Sequence, residues 1–150
     1  MLDHQELIAI PDSKRPQDSE IFMTELVLPN DTNMLGNLMG GRMLHWMDIS
    51  GALAASKHAQ KFVATVNINT VDFRHPVRMG EMVELHARLI KVGTTSMDVK
   101  VTVISENLKT ASKIKTNEAY LTYVALDDDQ RPTPVPRLIL DDTPEKSKNE

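Results

Sequence analysis

The chain has no cysteine. That excludes disulfides, cysteine nucleophiles and zinc–thiolate sites, and it fits a reducing compartment. Nor is there an excess of positive charge. The net charge is −4, so neither nucleic acid nor an anionic membrane is a default partner. No apolar run is long enough to span a membrane. The opening MLDHQELIAIPDSKRP lacks the basic start and apolar core of a signal peptide, so a cytoplasmic protein is expected. Internal repeats at solenoid periods are absent too. What is present is ordinary: 150 residues, 41% hydrophobic and 25% charged, which suits one domain with a sizeable core.

Residues 1–18 read as an N-terminal arm with Pro11, Pro16 and a short apolar patch from Leu7 to Ile10. The run EIFMTELVL over residues 20–28 is rich in strand formers and is ended by Pro29-Asn30-Asp31. A second strand is expected from Phe62 to Phe73, where Ala64, Val66 and Ile68 alternate with Thr65, Asn67 and Asn69. Its phase then slips, because Val71 and Phe73 are the next apolar positions, so a bulge is expected near Asn69-Thr70. Alternation returns from Met82 to Val92, turns at Gly93-Thr94, and is clearest from Met97 to Val103. The stretch Ala111 to Ala125 completes the strands. From residue 127 the chain is rich in Pro and charge, which predicts a C-terminal tail over 127–150. Its end is expected to be disordered, and Pro132 to Leu140 could pack as an extended segment before it.

Between the first two strands lies NMLGNLMGGRMLHWMDISGALAASKH, from Asn33 to His58. It begins polar and Gly-rich and continues as an apolar, helix-favouring run. This is the pattern of a loop entering a helix N-terminus. Free backbone N–H groups and the helix dipole there can hold a negatively charged oxygen. Gly40-Gly41 at that entry would let a ligand reach the backbone, or would simply make a turn. Inside the expected helix, Gly41 to His58, one acidic residue stands among small apolar ones. Asp48 shares a helical stripe with Leu44, Gly51, Ala52 and Ala55. A carboxylate so placed is either paired structurally or used in chemistry.

One long helix, apolar on most sides, must be buried on most sides. Four consecutive strands joined by short turns must pair mostly antiparallel. A curved antiparallel sheet wrapped around one central helix meets both demands, giving an α+β class. Its outer strands remain open and invite dimerisation by edge pairing.

The motifs in this frame resemble those of the hotdog-fold acyl-CoA thioesterases, over roughly residues 20–125. DTNMLGNLMGGRMLHWMD, from Asp31 to Asp48, is similar to that family's Asn, Gly-Gly helix start and acidic helix residue. FRHPVRMGE, from Phe73 to Glu81, resembles its Phe-x-x-Pro-Val-x-x-Gly-acid segment. Gly93-Thr94-Thr95-Ser96 also matches, and Ser105-Glu106-Asn107 with Lys113 and Thr116 resembles the last hairpin. The likeness is to the short bacterial acyl-CoA hydrolases and the brain-type acyl-CoA hydrolase.

The resemblance implies a hotdog domain over 19–126 that hydrolyses acyl-coenzyme A, part of fatty acid metabolism. In the family, Asp at the position of Asp48 activates water or attacks the thioester carbonyl. Asn at the position of Asn33 positions water or carbonyl from the other subunit. The oligomer is a dimer, extended by family resemblance to a hexamer as a trimer of dimers. Thioester chemistry fits these residues, because a thiolate leaves without an acid's help. One carboxylate and an oxyanion site at Gly40 and Gly41 then suffice. No metal and no cofactor beyond the coenzyme A of the substrate is expected, and the His residues form no ligand cluster. His45 reads as packing or dimer contact, and His58 and His75 have no evident partner.

Arg74, Arg78, Lys91, Lys109 and Lys113 could meet coenzyme A phosphates or simply carry surface charge. Thr94, Thr95 and Ser96 could line the pantetheine channel or form a polar turn. Two other functions stay open on the same fold: a non-catalytic acyl-CoA-binding module, and a hydroxyacyl-thioester dehydratase. A dehydratase would need a His beside the acid, and His45 is the nearby candidate.

Overall fold

The computed structural model describes residues 12–140 and, for residues 70–73, the backbone alone. The apolar patch expected at residues 7–10 and the tail end from residue 141 lie outside the described residues. The elements run β1 (Ser13–Lys14), β2 (Ile21–Leu26), α1 (Gly40–Ala59), β3 (Phe62–Phe73), β4 (Met82–Val92), β5 (Ser96–Glu106), β6 (Lys113–Leu126) and β7 (Arg137–Leu138). Short 3-10 turns stand at Pro16–Asp18 and Pro29–Asp31, each with proline near its start, where a missing N–H costs nothing.

Five strands form one antiparallel sheet in the order β2-β4-β5-β6-β3. α1 lies across its inner face and contacts all five. Period-two alternation decides which side chains meet the helix. On β5, Met97, Val99, Val101 and Val103 are all fully buried. Leu85 and Leu89 on β4 and Leu121 and Tyr123 on β6 join them. Each such side chain contributes about 1.5–3 kcal/mol of burial. On the outer face, Asp98, Lys100 and Glu118 stay half-exposed. There Glu118 pairs with Lys100 at 3.0 Å and Lys115 at 2.7 Å. These ammonium groups hold its carboxyl well down, at about 2.

β3 shifts register against β6 twice, between Thr65 and Asn67 and between Asn69 and Asp72. The second shift is the bulge that the slipped alternation predicts. β3 and β2 end the sheet, so each keeps an unpaired edge, and β3 is the longer at 12 residues.

The helix departs from one expectation. Its core stripe is Met43, Trp46, Met47, Ser50, Gly51, Ala54, Ala55, His58 and Ala59. The opposite stripe, with His45, Ile49 and Leu53, is exposed. Within one chain the helix is therefore buried on one side. The apolar residues that made it look buried all round divide between the sheet and an open face. A groove of about 900 Å³ lies beside that face, lined in part by Leu53, Lys57, Phe62 and Leu126.

The arm and the tail meet at the helix C-terminus. β1 and β7 pair in parallel, Ser13 with Arg137 and Lys14 with Leu138. The His58 ring is fully buried beneath this strap and donates from Nε2 to the Pro136 carbonyl at 2.7 Å. Lys14 Nζ donates to the Lys57 carbonyl at 3.0 Å. Gln60 closes the helix in the left-handed region, φ +58°, with its N–H on the Ser56 carbonyl at 2.7 Å.

Candidate active site

Asp48 sits at the border of the buried stripe of α1 and is itself half-buried. Two strand residues reach it. Thr65 on β3 is the register partner of Tyr123 on β6, so their side chains stand side by side on the inner face. The Thr65 hydroxyl donates to Asp48 Oδ1 at 2.8 Å. The Tyr123 hydroxyl lies 3.0 Å from the same Oδ1 and 2.9 Å from the Asp48 backbone carbonyl. Burial first, and then the neighbouring Asp48 charge, raises the Tyr123 pKa, so the phenol stays a donor.

The loop before the helix is built by its own polar groups. Asn33 Oδ1 accepts from the N–H of Leu35 at 2.9 Å and of Asn37 at 3.1 Å. This is an Asx turn. Gly36 supplies the positive φ of +79° that the turn requires, and its N–H reaches the Asn33 carbonyl at 3.0 Å. The loop is then stitched to its surroundings: Leu38 N–H to the Val77 carbonyl at 2.6 Å, and Met39 N–H to the Asp31 carbonyl at 2.9 Å. Asp31 also pairs with Arg42 at 3.2 Å, which ties the loop to the first helical turn. The Asn33 side chain is exposed, and its amide nitrogen donates to no described residue.

Gly40 and Gly41 open the helix, and Met39 before them offers no side-chain cap. The first N–H groups of a helix have no carbonyl behind them. They face outward beside a cavity of about 370 Å³ lined by Asn33, Asn37, Gly40, Met43, His75 and Asn117, among others. Asn37 Oδ1 is buried there with no hydrogen-bond partner among the described residues, a polar atom left over at the cavity wall.

The fold thus brings Asn33 and Gly40 together at one place and Asp48, Thr65 and Tyr123 at another. Asp48 does not line the Asn33 cavity. Arg74 is exposed next to His75, its N–H on the Thr116 carbonyl at 3.1 Å. Thr94, Thr95 and Ser96 line neither the cavity nor the groove. Their backbone serves structure instead. The Thr94 carbonyl accepts from Val135 of the tail at 2.9 Å, and the Thr95 carbonyl accepts from Ala125 at 3.0 Å. His45 is exposed on the helix face turned from the sheet. Among the described residues, no group of His, Asp and Glu is placed to hold a metal ion, and no helix is long and apolar enough to cross a membrane.

Sequence reasoning missed Thr65 and Tyr123. Alternation set Thr65 with Asn67 and Asn69, on the side of the strand opposite Ala64, Val66 and Ile68, so it read as a polar position. Tyr123 shares its parity with Leu121 and Ala125, and a hydroxyl on that apolar side is the signal that was available, since it needs a partner when buried. Which partner depends on the strand pairing.

A single long helix laid in a curled five-stranded antiparallel sheet, with a polar loop feeding its N-terminus and an acid on its flank, defines a hotdog protein. The model of the Thioesterase superfamily matches residues 35–112. The uncharacterized acyl-CoA thioester hydrolase YkhA of Bacillus subtilis is 34% identical over 129 residues, 86% of this chain and 75% of that protein. The chain belongs to the thioesterase superfamily. Among solved structures, an apo-hexameric acyl-CoA thioesterase superposes with a TM-score of 0.84 at 41% identity, covering 90% of this chain and 86% of that one. The acyl-CoA hydrolase of Staphylococcus aureus, in complex with butyryl coenzyme A, coenzyme A and coenzyme A disulfide, gives 0.82 at 32% identity over 90% and 82%. That hydrolase has also been solved as three variants, with an Asn, an Asp and a Thr each replaced by Ala. The intervals between those three positions equal the intervals between Asn33, Asp48 and Thr65.

Proposed function

We infer that the protein hydrolyses acyl-coenzyme A thioesters, releasing a free fatty acid and coenzyme A. The observation that carries this reading is the Asp48 carboxylate, held at one oxygen by Thr65 and Tyr123 on a thioesterase fold. The three variant positions of the S. aureus hydrolase support it, since Asn, Asp and Thr recur here at the same intervals.

The chemistry follows from the groups. Asp48 takes a proton from water as the water oxygen adds to the thioester carbonyl, or attacks that carbonyl itself. The oxyanion that forms is met by the N–H groups at Gly40 and Gly41. Collapse breaks the C–S bond, and the thiolate leaves unaided. In the water route it recovers the proton from Asp48; in the covalent route water then hydrolyses the acyl–Asp48 anhydride, freeing the fatty acid, regenerating the carboxylate and supplying the thiolate's proton. The reaction calls for no metal or further cofactor.

Self-association completes the site in this reading. The unpaired edge of β3 carries Thr65, and Thr65 holds Asp48, so a second chain pairing there would arrive beside the carboxylate. Its Asn33 and Gly40 would face the first chain's Asp48. Hexameric relatives support assembly of such dimers. Arg74, exposed and adjacent in sequence to the cavity-lining His75, is the basic residue we assign to a coenzyme A phosphate, while the backbone roles of Thr94, Thr95 and Ser96 lend them no such support. We treat residues 19–126 as the catalytic unit and the cytoplasm as its compartment.

The test is release of free thiol from acyl-CoA by purified protein, screened over short, medium and long chains. Wild type is expected to turn over at least one class, and Asp48→Asn is expected to lose about 10²- to 10⁴-fold while remaining an oligomer that binds coenzyme A. Turnover by a folded Asp48→Asn at the wild-type rate would remove Asp48 from the mechanism. Binding without turnover by wild type would make this an acyl-CoA-binding module.

A further inference from the structure

Asp48 has two carboxylate oxygens, and the fold treats them differently. Oδ1 accepts from Thr65 at 2.8 Å and from Tyr123 at 3.0 Å. Oδ2 accepts from no described residue. We propose that Tyr123 is a positioning residue which, with Thr65, saturates Oδ1 and turns Oδ2 toward the substrate as the reacting oxygen. The proposal rests on the reading of Asp48 as the catalytic carboxylate.

Three features of the molecule carry it. The first is the second contact of the Tyr123 hydroxyl, 2.9 Å from the backbone carbonyl of Asp48 itself. One phenol thus registers both the side chain and the main chain of the same residue. That fixes the direction of the Cα–Cβ bond as well as the position of one oxygen. Thr65 touches the side chain alone.

The second is Gly51, which lies one helical turn beyond Asp48 on the buried stripe. A Cβ at Gly51 would stand 2.4 Å from the Tyr123 hydroxyl oxygen and 3.1 Å from two ring carbons. The phenol passes under the helix through the space where a side chain would be. Glycine inside a helix costs about 1 kcal/mol relative to alanine. The close approach of Tyr123 is the return for that cost.

The third is the rigidity of the base. Tyr123 is fully exclused from solvent on a central strand, flanked by Leu121 and Ala125 on the same face. Its ring has little freedom, so its hydroxyl is a fixed reference point. A carboxylate held to such a point by one oxygen keeps its other oxygen in a narrow arc. This is the geometric precision on which proximity effects depend.

The experiment compares Tyr123→Phe in two backgrounds. Phenylalanine keeps the ring and removes only the hydroxyl. In the wild-type background kcat is expected to fall about 10- to 100-fold with KM within about twofold, because orientation and not binding is lost. In the Asp48→Asn background the same substitution should change the residual rate by less than about twofold, since the residue it positions is already gone. Gly51→Ala is the second route, keeping the hydroxyl but pushing it off Asp48. It should also lower kcat with KM retained, and the loss should shrink when Tyr123 is already Phe.

A folded Tyr123→Phe with unchanged kcat, where Asp48→Asn is inactive, overturns the positioning role and leaves the catalytic role of Asp48 standing. An equal fractional loss in both backgrounds also overturns it, because the hydroxyl would then act elsewhere. Full turnover by Asp48→Asn is a different failure, that of the underlying reading. Should Tyr123→Phe fail to fold, the Gly51→Ala kinetics decide alone: unchanged kcat in folded Gly51→Ala overturns the proposal.

Discussion

The two ends of the central helix are built to opposite plans. At the C-terminus most polar groups are consumed by structure, and His58 Nδ1 alone of those named there finds no partner among the described residues. Gln60 caps the helix, Lys14 takes the Lys57 carbonyl, and His58 is sealed under Pro136. At the N-terminus they are left over. No side chain caps Gly40 and Gly41, the Asn33 amide donates to no described residue, and Asn37 Oδ1 is buried without a partner. Unspent hydrogen-bonding capacity costs stability, so it persists where a ligand supplies the missing partner. The closed end holds the fold, and the open end keeps the groups that the proposed function assigns to acyl-CoA.

The sharpest way to break this comparison acts at the open end. Asn33→Ala and Asp48→Asn are each expected to be nearly inactive. Unfolded together and refolded as a mixture, they should regain activity, because a mixed dimer has one site with both changes and one with neither. With random pairing the recovery approaches roughly a quarter of the wild-type rate. Mixed dimers that form and stay inactive would show that Asn33 serves its own chain.

The next effect is on stability, at the closed end. His58→Leu leaves the Pro136 carbonyl without its donor and should cost about 1–2 kcal/mol in urea unfolding. Turnover at 25 °C should stay within about twofold of wild type. This site also sets a pH dependence. His58 Nε2 holds the proton that bonds Pro136, and Nδ1 is buried without a partner. Burial lowers its pKa below 6.5, with the Lys14 charge adding to this and Asp18 opposing it. A base whose folded pKa is depressed binds more protons when unfolded, so stability falls as the pH drops. The contribution of His58 is complete above about 6.5 and is lost as the pH falls toward its folded value. The slope of unfolding free energy against pH just below 6.5 should flatten in His58→Leu, and an unchanged slope would assign that proton uptake elsewhere.

The smallest effect separates two parts of the tail. Deleting residues 141–150, DDTPEKSKNE, should leave the melting temperature and turnover unchanged, because so charged a segment buries little. Deleting from residue 132 onward removes Val135, Pro136 and β7 as well, and should lower the melting temperature by several degrees, about 2–4 °C for each 1 kcal/mol lost in a chain of this size. Equal melting temperatures for the two truncations would show that the strap adds nothing.

Much of this molecule was legible in one dimension. Met97 to Val103 alternates without a break and is a central strand. The slip between Ile68 and Val71 is a bulge against β6. The Gly-Gly entry and apolar run are a helix from Gly40 to Ala59. These features rest on local periodicity, on glycine's backbone freedom and on the scarcity of charge within the helix, all of which act between near neighbours in the chain. Asp48 stood out for the same reason, a carboxylate among small apolar residues.

What only the tertiary structure decided is which distant groups meet. Thr65 and Tyr123 reach Asp48 because β3 pairs with β6 in one register, and a slip of β3 by one residue would turn the Thr65 hydroxyl to the outer face, away from Tyr123 and Asp48. Gly51 read only as a small residue on the Asp48 stripe, and the strand beneath it places a phenol there. His58 had no evident partner because its partner lies 78 residues away, on a tail whose path depends on a parallel pairing with the arm. The helix expected to be buried on most sides has an open face within one chain, because hydrophobicity says that a surface will be covered and not by what. Local pattern specifies the elements, while the pairing of the sheet determines which polar groups are satisfied and which remain for chemistry.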